Sequence, residues 1–315
     1  MTKRELVLSL LDRSNDKKYF PAGFFIHFDE SHRSGQEAVD KHIEYFRYTG
    51  MDIVKIQYET IFPLHPEIVS SKNWSKMPLY GKEFYEDQLF VAKRIVEEMK
   101  KEALVIMTLY SPFMCARSTI GGEEEITNRI KEDPEGFKKG MEIITESLLI
   151  FVKSCIEIGI DGFYASSQGG ENHRFSDPYY FNSCIKPYDL ILMNEISKSC
   201  IFNILHLCDF RGKYDDLSPF IDYPGHVVSF FNELNGKKIS AQEVAKLFNR
   251  PVMGGMDRKG IIVDGNKNQI KDAVNEVLKS APEQFILGAD CTLPDNVNWE
   301  NIKTAIDAAH SFEGI

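Results

Sequence analysis

Short runs of apolar residues alternate with longer segments of helical periodicity along most of the chain. Each short run has the length of a buried strand, and each longer segment repeats its apolar residues every three or four positions. The predicted strands are Ala22–His27, Ile53–Gln57, Leu104–Tyr110, Gly162–Ala165, Phe202–Leu207, Val227–Phe230, Val252–Gly255 and Phe285–Gly288. The predicted helices are Gln88–Lys101, Pro134–Ile158, Pro178–Ser199, Ala241–Phe248, Asn268–Lys279 and Trp299–Ala309. This alternation is typical of a parallel sheet whose strands are connected by helices.

Capping residues mark the starts of several helices. Asp133 and Asp177 each precede a proline, which is a favourable combination of N-cap carboxylate and first helical residue. Thr2 and Glu5 have the spacing of a capping box ahead of the apolar run Leu6–Leu11. We therefore predict a helix near the N-terminus, before the first strand.

The number of strands favours a closed (β/α)8 TIM barrel of the α/β class over an open doubly wound sheet. An open sheet usually has a glycine-rich phosphate loop after its first strand, and the sequence at that point, FFIHFDESHRSG, has none. A single barrel also accounts for a length of 315 residues. The prediction is one domain over residues 1–315, in which residues 1–20 form the N-terminal helix that precedes the first strand.

The charge balance excludes several classes of partner. The net charge is -10, and lysines and arginines are interspersed with acidic residues, so no basic patch for nucleic acid or an anionic membrane surface is predicted. The first residues do not resemble a signal peptide, and no apolar stretch approaches the length of a membrane span. These features predict a cytoplasmic protein, in which six cysteines are buried thiols or metal ligands and not a disulfide framework.

The carboxyl ends of the strands are where a barrel of this kind builds its active site. The chemistry-bearing residues predicted at or just beyond these ends are His27, Tyr58, Tyr110, Gln168, Glu171, His206, Cys208, Asp290 and Cys291. His27 and Asp290 are candidates for acid–base catalysis. The structural alternatives are that His27 is a buried histidine with its hydrogen bonds satisfied and that Asp290 caps the following turn.

His206, Cys208 and Cys291 form a candidate metal site. The first two are two residues apart on one strand, so their side chains project from the same face, and Cys291 follows the eighth strand. One imidazole and two thiolates suit Zn2+, and three protein ligands leave the fourth position open, as in catalytic zinc sites. Buried free cysteines are common in proteins, so these residue types alone also fit an ordinary core.

Several segments resemble the uroporphyrinogen decarboxylase superfamily, and in particular its corrinoid-dependent methyltransferase branch. The resembling segments are TKRELVLSLLDR, FPAGFF, YSPFMCARSTIGGEE, YASSQGGENHRFSDPYYFNSCIKPYDLIL, HLCD and FILGADCTLPDNVNWENIKTAIDAA. In methylcobalamin:coenzyme M methyltransferases a His-x-Cys pair and a distant cysteine bind zinc. The resemblance carries that ligand set onto His206, Cys208 and Cys291.

The resemblance implies methyl transfer between a corrinoid, carried by a separate partner protein, and a small molecule. A zinc-bound thiol would accept the methyl group, or a methoxy, methanol or methylamine donor would supply it to the corrinoid. Tyr58, Tyr110, Gln168 and Glu171 are candidate substrate-binding residues, although a tyrosine at a strand end also serves as a packing residue. The resemblance to the superfamily also leaves a homodimer open as the oligomeric state.

The chain departs from true uroporphyrinogen decarboxylases in two places. Their N-terminal arginine pattern is replaced by a stretch in which Arg33 is the only arginine, beside the acidic Asp29 and Glu30 and, farther on, Glu59. Their late Gly-His-Gly-Ile motif is replaced by the stretch from Gly288 to Cys291. We expect an acidic mouth unsuited to a substrate with eight carboxylates. The decarboxylase, a related metal-independent lyase and a non-catalytic tetrapyrrole or corrinoid-protein binder stay as alternatives.

Overall fold

A computed structural model describes residues 1–12, 19–68 and 70–313 and has a parallel α/β architecture. Its strands are β1 Ile53–Ile56, β2 Leu104–Tyr110, β3 Gly162–Ser167, β4 Ile204–Leu207, β5 Val227–Ser229, β6 Glu233–Leu234, β7 Lys237–Lys238, β8 Val252–Met256 and β9 Phe285–Ala289. Its α-helices are α1 Lys3–Ser9, α2 Gly35–Thr49, α3 Glu86–Met99, α4 Pro112–Ile120, α5 Glu123–Glu132, α6 Pro134–Ile158, α7 Pro178–Cys184, α8 Lys186–Ser199, α9 Ala241–Phe248, α10 Ile261–Asp264, α11 Lys267–Lys279 and α12 Trp299–His310.

Seven of the nine strands form one curled sheet in the order β1-β2-β3-β4-β5-β8-β9, and every neighbouring pair is parallel. The remaining two, β6 and β7, make a small antiparallel hairpin. All residues of β1, β3, β4 and β9 are buried, as expected for a sheet that helices cover. The sheet therefore aligns the carboxyl ends of seven strands on one side of the protein.

The segment Ala22–His27, predicted as the first strand, forms only one parallel bridge, between Ala22 and Leu287 of β9. Beyond this bridge, groups outside the sheet donate hydrogen bonds to the backbone carbonyls of the segment. The donors are the Tyr45 hydroxyl to Phe24, the Leu293 N–H to Phe25 and the Gln57 side-chain amide to Ile26. Because these carbonyls are satisfied elsewhere, the segment adds no eighth ladder to the sheet. The predicted seven other strands are confirmed.

The predicted helix starts are confirmed where the structure describes them. Thr2 and Glu5 form both hydrogen bonds of a capping box on α1, and Asp133 and Asp177 accept hydrogen bonds from the first turns of α6 and α7. Residues 13–18 of the predicted N-terminal segment lie outside the described residues. Within the described part of the chain, no helix has the length and apolar character needed to cross a membrane.

The predicted helix Pro178–Ser199 is two helices in the structure, separated at Ile185. Pro187 lies in the first turn of α8, where its missing N–H is harmless, whereas within one continuous helix it would remove a hydrogen bond. The sequence reasoning also missed α2, α4, α5 and α10.

Candidate metal centre

A cavity of about 550 Å³ opens at the carboxyl ends of the strands. It brings together six of the nine candidate residues, and these are His27, Tyr110, Gln168, His206, Cys208 and Cys291. Tyr58, Glu171 and Asp290 do not line it. The cavity has the size of an ordinary small-molecule site.

The three predicted metal ligands form a cluster at the bottom of this cavity. The Sγ atoms of Cys208 and Cys291 are 3.9 Å apart, and Cys291 Sγ lies 3.5 Å from His206 Nε2. A tetrahedral zinc with Zn–S bonds of about 2.3 Å and a Zn–N bond of about 2.0 Å requires separations of about 3.8 Å and about 3.5 Å. All three donor atoms lie within 4.8 Å of one another, and all three residues are buried. Two of the three separations therefore match a tetrahedral site, and three ligands leave one of its four positions for another ligand.

The orientation of His206 is set by a hydroxyl on the neighbouring strand. Its Nδ1 lies 3.1 Å from Ser229 Oγ, which lies 3.0 Å from the Tyr164 hydroxyl. The parallel register of β4 and β5 places His206 opposite Ser229. Since Nδ1 has this partner, Nε2 is the nitrogen that faces the two cysteines. Sequence reasoning missed Ser229, although a serine in the otherwise apolar run Val227–Phe230 was a usable signal.

The hydrogen bond between the two cysteines shifts the pKa values of their thiols in opposite directions. The pKa of Cys208 is lowered because the thiol of Cys291 donates to its sulfur, an effect that exceeds the cost of burial. The pKa of Cys291 is raised because it is the donor in this pair and because it is buried beside the Cys208 thiolate. The lowered pKa favours the thiolate at Cys208, which is the form that ligates metals.

Lys55 is a cavity residue that the sequence analysis did not identify. Its amine donates to Gln57 Oε1 at 2.7 Å and to Thr108 Oγ1 at 3.1 Å, and it lies over the ring of Tyr164. Among the described residues it forms no ion pair. Burial lowers the pKa of Lys55 to about 7. An isolated lysine within an apolar strand was a weak signal, because strand edges and surfaces carry many such residues.

Two candidate residues, Tyr58 and Glu171, lie outside the cavity lining. Tyr58 is buried against the rings of Tyr110 and Phe151, at centroid distances of 5.5 and 5.3 Å. The Glu171 side chain is fully buried and pairs with Arg174 at 2.7 Å. His27 does reach the cavity, where its Nδ1 lies 2.9 Å from Glu59 Oε1.

Asp290 belongs to a charged triad next to Cys291. Its carboxylate accepts the backbone N–H of Arg258 at 2.7 Å and a guanidinium N–H at 3.0 Å, and the same guanidinium nitrogen lies 2.7 Å from Asp209. Burial raises the pKa of Asp290, and the charge of Arg258 opposes that rise. Through Arg258, the triad connects the loop that carries Cys291 to Asp209, the residue that follows Cys208.

Replacing Arg258 with methionine is expected to destabilise the protein by about 3 kcal/mol, because two largely buried carboxylates lose their shared cation. Urea unfolding at pH 7 measures the change. Arg94→Met is the matched control: it removes an exposed ion pair with Glu97 and should cost less than about 1 kcal/mol. Equal losses in the two variants would show that the triad is not a structural support.

The expectation of an acidic mouth is wrong. Asp29, Glu30 and Glu59 do not line the cavity. Its lining includes one carboxylate, Asp295, two histidines, His27 and His206, and five lysine or arginine side chains, which are Lys55, Arg117, Arg211, Arg258 and Lys259. Carboxylates outside the lining neutralise the three arginines, since Glu123 pairs with Arg117 and Arg211, and Asp209 and Asp290 pair with Arg258. The two lysines have no carboxylate partner among the described residues.

Comparisons with known proteins connect this site to one family. The family model of uroporphyrinogen decarboxylase (URO-D) matches residues 50–312. A uroporphyrinogen decarboxylase from Aquifex aeolicus is 21% identical over 282 residues, which cover 84% of this chain and 80% of that protein.

Two solved structures share the fold. A methyltransferase from Methanosarcina mazei matches with a TM-score of 0.75 at 14% identity, over 98% of both chains. A B12-independent methionine synthase from a Shewanella species matches with a TM-score of 0.54 at 10% identity, over 92% of this chain and 93% of that one. At these identities the matches establish a common architecture.

Proposed function

Because the chain belongs to the uroporphyrinogen decarboxylase (URO-D) family, we propose that it is a zinc-dependent methyltransferase acting on a corrinoid. The methyl group moves between the corrinoid, carried by a separate protein, and a small thiol or methyl donor. One observation carries the proposal: a buried His-Cys-Cys cluster, with donor atoms within 4.8 Å of one another, lines a cavity large enough for a small substrate.

The ligand chemistry supports zinc as the metal. One imidazole and two thiolates are a borderline-soft set, and two of the three donor separations match those of tetrahedral zinc. Zinc held by His206, Cys208 and Cys291 would lower the pKa of a substrate thiol in the open fourth position, which makes the thiolate available at neutral pH.

The remaining residues bind and orient the substrate. Lys55 and Lys259, the two lining lysines without a carboxylate partner among the described residues, suit a small substrate with an acidic group, and Tyr110 and His27 line the same cavity. In the thiol-accepting direction, the substrate sulfur bonds to the methyl carbon while the carbon–cobalt bond breaks. Both electrons of that bond stay on cobalt, which passes from Co(III) to Co(I), and the thiol proton goes to solvent.

The decarboxylase is the second candidate, and the cationic lining is the observation that favours it. A substrate with several carboxylates would suit five cationic side chains. Three of these already have carboxylate partners, however, which leaves Lys259 and Lys55, and burial lowers the pKa of Lys55 to about 7. A metal-ligand cluster also has no use in a metal-independent decarboxylation.

Anaerobic incubation with methylcobalamin and a panel of thiols tests the proposal. We expect the purified protein to demethylate methylcobalamin and to form a thioether. The reaction should be faster with thiols that carry a separate acidic group than with thiols that carry none. The cobalamin spectrum and mass spectrometry of the product are the measurements. Methanol, methylamine and methoxy donors with unmethylated Co(I) corrinoid test the opposite direction.

Two results would contradict this function. Carbon dioxide release from uroporphyrinogen by metal-free protein would identify a decarboxylase. Bound zinc without turnover in either direction would identify a non-catalytic binding protein.

A further inference from the structure

We propose that Arg117 is a positioning residue that holds the Gln168 amide with its N–H toward Cys208 and thereby strengthens zinc binding. The inference rests on the proposed zinc site and deepens it. It assigns Gln168 to the metal centre, where sequence reasoning predicted a substrate-binding residue.

The argument begins with the hydrogen bonds of Gln168. Its Nε2 lies 3.1 Å from Cys208 Sγ, and its Oε1 lies 2.6 Å from Arg117 Nη1. A guanidinium has donors and no acceptor, so it accepts nothing from an amide N–H. Arg117 therefore binds only the amide oxygen, and the amide nitrogen must face the opposite side, where the Cys208 sulfur lies. A flipped amide would place its NH2 group against a cation and its oxygen against a thiolate.

Arg117 is itself held in place by carboxylates. It lies on α4, and its Nη1 is 2.6 Å from Glu123 Oε1 at the start of α5. The other oxygen of Glu123 lies 3.0 Å from Arg174, whose side chain is fully buried. Arg174 in turn binds Glu171 at 2.7 Å. The Arg117 guanidinium that contacts Gln168 is thus also held by a charged network, which consists of Glu123, Arg174 and Glu171.

The same network holds the backbone next to Gln168. The Gly169 N–H donates to Glu171 Oε2 at 2.9 Å, and Gly169 has φ +103°, a conformation that favours glycine. Both the backbone after Gln168 and its side-chain oxygen are therefore constrained. This gives Glu171 a structural role in place of the predicted contact with substrate.

A fixed N–H donor matters for the metal because it interacts most strongly with an ionised sulfur. A hydrogen bond to a thiolate favours the deprotonated form, which is the form that binds zinc. Partners that orient metal ligands typically contribute about 10- to 100-fold to metal affinity. Removal of either member of the Arg117–Gln168 pair should weaken zinc binding while leaving all three ligands present.

The experiment measures the zinc dissociation constant of the full chain by competition with a chromophoric chelator at pH 7. We expect Gln168→Leu and Arg117→Met each to weaken zinc binding by about 10-fold. The double variant should be no weaker than Gln168→Leu alone, because Arg117 acts through the amide. Arg117→Lys, which keeps a donor for Oε1, should recover part of the affinity.

Arg211→Met is the matched control. Arg211 also pairs with Glu123, at 3.4 Å, and has no hydrogen bond to Gln168 among the described residues. Its removal should leave the zinc dissociation constant unchanged. A loss equal to that of Arg117→Met would assign the effect to the charge network as a whole and overturn the positioning role.

Other outcomes also decide the proposal. Wild-type affinity in Arg117→Met, or additive losses in the double variant, would overturn it while leaving the zinc enzyme intact. If Arg117→Met does not fold, Gln168→Glu decides, since it keeps an acceptor for Arg117 and has no N–H for Cys208. Unchanged zinc affinity in that variant would overturn the proposal. Failure of wild-type protein to bind zinc would overturn the proposed function and this inference together.

Discussion

Replacing Cys291 with serine is expected to remove zinc from the purified protein and to reduce methyl transfer below detection. Zinc sites with four ligands bind with about 10–16 kcal/mol, so one ligand contributes about 4 kcal/mol, or about 1000-fold in affinity. A serine hydroxyl is a poor replacement because it stays protonated at neutral pH. Cys208→Ser and His206→Ala should have losses of similar size.

Metal analysis after gel filtration and the methylcobalamin assay measure this effect. Cys155→Ser is the matched control, because Cys155 is a fully buried free cysteine on α6, away from the cluster. That variant should keep its zinc even if its stability falls. Full zinc retention in both Cys208→Ser and Cys291→Ser would show that the cluster is not the metal site.

Replacing Lys55 with methionine is expected to stabilise the metal-free protein, and more at neutral than at alkaline pH. Burial holds the pKa of Lys55 near 7, against an ordinary value of 10.5. Between these pH values the unfolded chain binds a proton that the folded chain does not bind. The free energy of unfolding of the wild type therefore increases as the pH rises between these two pKa values, and this increase is reversed as the pH falls toward 7.

The free energy of unfolding of the wild type, relative to Lys55→Met, should rise by about 2 kcal/mol between pH 7 and pH 9. Denaturant unfolding of chelator-treated protein at both pH values measures the difference. Lys93→Met, which removes an exposed lysine, controls for the loss of positive charge as such. A constant difference between Lys55→Met and wild type across the window would mean that Lys55 remains charged in the folded protein.

Local patterns predicted most elements of the fold because their physical causes are local. Seven strands and the capped helix starts follow from apolar runs and side-chain caps within a few residues of one another. The helix α2 was missed because its buried face includes polar residues, His42 and Thr49, which interrupt the apolar period. The segment Ala22–His27 failed as a strand because groups from distant segments bind its carbonyls.

The sequence by itself identified the three residues that cluster as candidate metal ligands. Histidine and cysteine two residues apart on one strand, and a second cysteine after the last strand, are sufficient to place the three donors at one side of a parallel sheet. It also identified Gln168, which lines the same cavity. All three metal candidates lie together in the structure.

Only the tertiary structure decided how those donors are spaced and what surrounds them. The 3.9 Å between Cys208 and Cys291, the contact of Arg117 with Gln168 and the burial of Lys55 all join elements far apart in sequence. Periodicity reports which face of an element is buried, because that depends on its own residues. Distances and charges between elements depend on how several of them pack, and no single stretch of sequence contains that information.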